Sequence, residues 1–128
     1  MSKDDNIAIG ASEANKTRAK ERVLMVLKST IKPVKYAELV RQVRYVTGLS
    51  QTYSERETRY AISDLILELH RIVNDGKDGY SLTNDDAKLR KMKERQEKYR
   101  KKFDEKIMAY EVMIAEILAE KSASLAKV

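Results

Sequence analysis

The chain has 128 residues, room for one modest domain and an appendage, since domains hold on the order of 100 to 150 residues. It contains no cysteine and one histidine, which excludes a disulfide framework, a thiolate zinc site and a histidine cluster. Charged residues make up 36% of it against four Gly, one Pro and one Phe, with a net charge of +6; this helical balance sets aside all-β and α/β folds and permits nucleic-acid binding without requiring it.

Residues 1 to 16 are small, polar and aperiodic and read as a flexible tail. With only Lys3 and Lys16 they are poorly equipped to be a minor-groove arm. They also lack the charged and apolar regions of a secretory leader, and no run approaches the roughly 20 apolar residues of a membrane span. A cytoplasmic or nucleoid location with no membrane partner is therefore expected.

Thr17 to Ile31 is predicted as helix one, with Ala19, Val23, Leu24, Leu27 and Ile31 at helical spacing and Pro33 forbidding continuation. Val34 is placed to pair briefly as a first strand. Tyr36 to Val46 is predicted as helix two, with Leu39, Val40, Val43 and Val46 on its inner stripe and Gly48 supplying the left-handed C′ position. Gly48 to Tyr53 then forms a turn longer than the minimal three to four residues.

Ser54 and Glu57 form an S-x-x-E capping box, so helix three is predicted to begin at Ser54. Ile62, Leu65, Ile66 and Leu69 share its apolar stripe with Thr58 at the edge, while Arg56, Tyr60, Ser63 and Asp64 fall opposite. Ile72-Val73, an Asp/Gly-rich turn over residues 74–79 and Tyr80-Ser81-Leu82 make a small hairpin. His70 closes the helix, where a cation suits the dipole.

This segment resembles winged helix-turn-helix proteins common in phages and prophages, in which a Ser-Asp/Glu-Arg-Glu-x-Arg opening of the third helix leads to an Ile-Val-x(n)-Gly-Tyr-x-Leu wing. The matching residues are Ser54, Glu55, Arg56, Glu57, Arg59, Ile62 and Leu65, then Ile72, Val73, Gly79, Tyr80 and Leu82. The likeness covers roughly residues 17–110 and departs at Thr58, where an apolar residue is usual, and at Leu69-His70-Arg71, where Gly-x-Pro is usual. It implies a mainly α fold with a small β-hairpin wing over residues 17–83, and a third helix that enters the DNA major groove. The layout is also similar to PadR-like regulators, which likewise end the wing in the pattern of Tyr80, Leu82 and Thr83, and to replication-terminator proteins.

Residues 84–122 read as one long helix capped by Thr83 or Asn84, with residues 123–128 fraying. Leu89, Met92, Gln96, Tyr99, Phe103, Ile107, Tyr110, Ile114 and Ile117 are spaced 3-4-3-4-4-3-4-3, a coiled-coil-like seam with one slip. So long a stripe needs a partner. A homodimer through Tyr99, Phe103, Ile107, Tyr110, Ile114, Ile117 and Leu118 is expected, with a host or replisome protein as the rival occupant.

If the head reads DNA, Arg56 and Arg59 are the leading candidates, because Arg suits bidentate contact with guanine or phosphate. Pairing with Glu55 or Glu57 is their alternative role. Gln51, Thr52, Tyr53, Tyr60 and Ser63 are supporting donors, and Lys77 at the hairpin tip is flanked by Asp75 and Asp78. Nine Lys/Arg stand against two Glu between Lys88 and Lys102, with Arg90 and Lys91 in position to track a backbone; a solvated helix face is the alternative. No phosphate loop, catalytic triad or metal-spaced cluster is present, so no enzyme, cofactor or metal is expected. Two functions remain: a dimeric double-stranded DNA-binding protein, in transcription or replication, and a protein-docking module without DNA binding.

Overall fold

The computed structural model describes residues 12–126. Most of the flexible tail predicted at the N-terminus, residues 1–11, and the last two of the residues predicted to fray lie outside the described residues.

Ser12 opens the first helix by accepting from the Asn15 amide at 3.1 Å, and α1 runs Glu13–Lys28. The tail therefore ends before residue 16, because a Ser cap followed by an acid in the first turn suffices to start the helix a turn early. Ser29 closes α1 by bonding the Met25 and Val26 carbonyls. Ile31 lies beyond this closure and is 99% exposed, which corrects its placing on the inner stripe.

α2 runs Tyr36–Thr47 with Leu39, Val40 and Val43 buried, and Gly48 ends it at φ 70°, as its position after Thr47 predicts. α3 begins sooner than the capping box indicates. Ser50 accepts from the Tyr53 amide at 3.3 Å and α3 spans Gln51–Leu67, so only three residues, 48–50, separate α2 from α3. Burial of Leu49 just before the cap fixes the chain's entry. Ser54 is then an interior residue whose hydroxyl donates to the Leu49 carbonyl at 3.3 Å, and Glu57 is buried rather than capping.

The buried stripe of α3 is Ser54, Glu57, Thr58, Ala61, Ile62 and Leu65. It is rotated by roughly 60° from the expected one, at about 100° per residue. Ile66 and Leu69 are consequently exposed, at 42% and 86%. The helix end explains Leu69. Leu69 N–H donates to the Ile66 carbonyl and His70 N–H to the Leu65 carbonyl, a Schellman closure whose C′ residue is left-handed. Leu69 occupies it with φ 72°.

The chain returns as a hairpin of β1 (Ile72–Asn74) and β2 (Tyr80–Leu82), antiparallel with Ile72 opposite Leu82. Val34 pairs with Tyr80 as a single bridge through two backbone bonds of 2.7 and 2.8 Å, the brief strand predicted there. Gly79 makes this possible, because at φ 114° a Cβ there would meet the Val34 carbonyl oxygen at 2.3 Å.

Ala19, Val23 and Leu27 of α1, Leu39 and Val43 of α2, Ala61, Ile62 and Leu65 of α3 and Ile72 of β1 form one core. Burial of such a side chain contributes about 1.5–3 kcal/mol. The described chain is thus mainly α with one small antiparallel hairpin. Its described residues divide into two units, which meet between Leu89 and Arg90.

α4 runs Asp86–Ala126. Asp85 caps it, accepting from the Ala87 amide at 2.9 Å, while Asn84 accepts from Arg71 at 2.8 Å instead. Residues 123–126, expected to fray, are helical. None of its residues is buried.

Candidate functional site

The site residues proposed on α3 gather along its solvent side because the buried stripe fixes the opposite one. Gln51, Thr52, Tyr53, Arg59, Tyr60 and Ser63 are all exposed, and Arg56 is partly so. They do not form one cluster.

Arg56 is held by its neighbours. Its guanidinium carbon lies 4.5 Å from the Tyr53 ring centre, and its Nε, itself buried, lies 3.5 Å from the Glu57 carboxylate. The Glu57 pairing weighed as an alternative role is thus observed. A guanidinium fixed at one face and at Nε still presents its terminal amino groups as a fork.

Arg59 reaches Tyr36, donating to its hydroxyl at 3.5 Å. That hydroxyl donates in turn to the Glu55 carbonyl at 2.6 Å. Burial pushes the Tyr36 hydroxyl above its ordinary pKa, against the opposing pull of the Arg59 charge. Tyr36 also packs on Tyr80, ring centres 6.3 Å apart, so α3, the start of α2 and the hairpin are tied together beneath Arg59.

At the opening of α3, Gln51 accepts from Arg44 at 3.4 Å and donates to Glu55 at 3.0 Å. Arg44 was not singled out from sequence. The signal was present in its place: a basic residue in the last turn before a C-cap Gly, one short turn from α3, is carried to the head of that helix.

Tyr60 and Ser63 face elsewhere. They line a cleft of ≈ 230 Å³ between α1 and α3 with Lys16, Lys20, Glu57 and Asp64. Lys20 is paired there with Glu68, which raises its pKa above the ordinary value. The position of Tyr60 and Ser63 follows from the rotation of the stripe.

Lys77 sits exposed in the hairpin loop, and Lys35 donates to its carbonyl at 2.8 Å, which brings a second cation to the tip. Asp75 points its carboxylate inward, accepting from the Asp78 and Gly79 amides at 2.6 and 3.1 Å. Those two bonds, Asp78 foremost, lower its pKa from the ordinary carboxylate value.

Arg90 and Lys91 are exposed on α4. So are Tyr99, Phe103, Ile107, Tyr110, Ile114, Ile117 and Leu118, each at least half exposed. Among the described residues no group of three or more His, Asp or Glu is placed to hold a metal ion, and no helix is long and apolar enough to cross a membrane.

Comparison of the chain with family models, with curated proteins and with solved structures returns no match.

Proposed function

We propose that the chain is a winged-helix protein that binds double-stranded DNA in a sequence-specific way, works as a homodimer through α4 and regulates transcription for a virus or other mobile element. Control of replication is the other role that the same binding chemistry serves. The observation that carries this reading is a three-residue turn from α2 into a helix whose solvent side bears Thr52, Arg56 and Arg59, with Arg44 bonded to Gln51 at its opening. A recognition helix reaches base edges with residues near its start, and Arg is the side chain suited to guanine and phosphate. The hairpin brings Lys35 and Lys77 together at its tip, two cations able to contact phosphate beside Asp75 and Asp78. α4 exposes an aromatic and aliphatic seam too extended for a lone soluble chain.

A mobility-shift titration on random duplex at two salt concentrations tests it. DNA binding predicts an affinity that falls steeply with salt as counterions are released; no shift at low salt overturns the reading. A docking module that ignores DNA is the second reading. It is favoured by the aliphatic surface at the end of α3, where Ile66, Leu67 and Leu69 are 42%, 76% and 86% exposed, and it predicts no salt-sensitive shift.

A further inference from the structure

We propose that two copies of α4 pair antiparallel about a two-fold axis at Phe103. This rests on the homodimer reading and adds its geometry. The spacing of the seam, 3-4-3-4-4-3-4-3, reads the same in both directions, and Phe103 is its centre. Reversal about that residue sets Leu89 level with Ile117, Met92 with Ile114, Gln96 with Tyr110 and Tyr99 with Ile107. Every seam residue meets a seam residue, and the one polar member, Gln96, meets a phenol able to share a hydrogen bond.

The slip between Phe103 and Ile107 falls at the axis. A 3-4-4 step is the local period of a straighter helix pair, so the two arms can each hold a heptad register while the crossing stays in contact.

Charge selects the same direction. Residues 88–102 carry nine Lys/Arg and two Glu, a net +7, whereas residues 104–118 carry four acids and Lys106, a net −3. Parallel pairing in register stacks the +7 block on its own copy, and like charges across a helix interface are unfavourable. Reversal about Phe103 lays each basic block along the acidic block of the other chain. Asp104 comes level with Lys102, Glu105 with Lys101, Glu111 with Arg95 and Glu116 with Arg90. Two like-charged levels, Lys106 with Arg100 and Asp86 with Glu120, remain. α4 buries none of its residues within one chain; Leu89 and Met92 are half-buried, and the seam from Tyr99 to Ile117 is open to this partner.

The protein contains no cysteine, so a single introduced thiol reports cleanly. In full-length Met92→Cys carrying a spin label, antiparallel pairing about Phe103 puts the two labels about 33 Å apart, twice eleven residues at about 1.5 Å each. Parallel pairing puts them about 10 Å apart. Light scattering on the same sample gives the mass. A dimer with the long distance, together with oxidative cross-linking of the Met92→Cys, Ile114→Cys double variant, is the expected result. A dimer with the short distance overturns the antiparallel pairing and leaves the homodimer standing. A monomer overturns both.

Discussion

The guanidinium of Arg56 stands between the Tyr53 ring, 4.5 Å from its centre, and the Glu57 carboxylate, 3.5 Å from its Nε. Glu57 is 2% exposed, so this cation is what faces a carboxylate that the rotation of α3 has carried into the interior. Arg56→Ala leaves that carboxylate uncompensated and is expected to cost about 1–3 kcal/mol. Adding Glu57→Gln to it removes the charge and recovers part of the loss. Urea unfolding of the two single variants and the double gives the coupling; strictly additive losses would show that the pair does not interact.

On the proposed DNA-binding function, Arg59 is the residue at which recognition and folding can be tested apart. Its partner is the Tyr36 hydroxyl at 3.5 Å, at the limit of a hydrogen bond, so Arg59→Ala leaves the unfolding midpoint nearly unchanged. DNA affinity is expected to fall by about 1–3 kcal/mol. A shift titration equal to that of the parent chain removes Arg59 from the interface.

Leu69 holds a left-handed backbone, φ 72°, with its side chain 86% exposed. A side chain in that region costs roughly 1–2 kcal/mol, partly offset in a Gly variant by the larger entropy of the unfolded chain. Leu69→Gly is therefore expected to stabilise by about 0.5–1 kcal/mol, read as a higher urea midpoint. Loss of stability would mean that the leucine packs against something in solution, the outcome the docking reading favours.

The hairpin glycines differ in what surrounds them. Gly76, φ 82°, has nothing within 4 Å of a built Cβ, whereas Gly79 has the Val34 backbone at 2.3 Å. Gly76→Ala carries only backbone strain, roughly 1 kcal/mol. Gly79→Ala also has to push Val34 away and break the bridge to Tyr80, on the order of 3 kcal/mol. Thermal unfolding of both variants should rank them in that order.

Asp75 makes the hairpin sensitive to acid. The Asp78 and Gly79 amides hold its pKa below the ordinary value of 3.8, so its contribution is fully present above 3.8 and is lost as the pH falls through the lower folded value. Asp75→Asn keeps an oxygen acceptor but does not titrate. The Asp78 and Gly79 amide resonances are expected to shift with acid in the parent chain and stay still in the variant.

Much of the head could be read from residue types because its core obeys helical spacing. Val23, Leu27, Leu39, Val43, Ile62 and Leu65 are buried as predicted, Gly48 ends α2, and Val34 meets Tyr80. The start of α3 misleads because local signals compete at close range. Ser50 and Ser54 are both able to cap, and the box at Ser54–Glu57 is the stronger local pattern; burial of Leu49 decided for Ser50. The buried stripe of α3 is set separately, by its packing against α1 and α2, which buries Ser54, Glu57, Thr58 and Ala61 and leaves Tyr60 and Ser63 at the cleft beside α1. Arg44, Lys35 and Tyr36 act through contacts distant in sequence, at Gln51, Lys77 and Arg59, which no spacing rule within one element reveals.

An isolated helix in water is held by propensity and end effects alone, and most helical stability comes from packing a face against something else. α4, 41 residues with none buried, lacks that support within a single chain. Far-UV ellipticity should therefore decline on dilution, in a step separate from the cooperative melting of the three-helix core. With α4 paired as proposed, the protein's helix content becomes a readout of how many copies a cell holds.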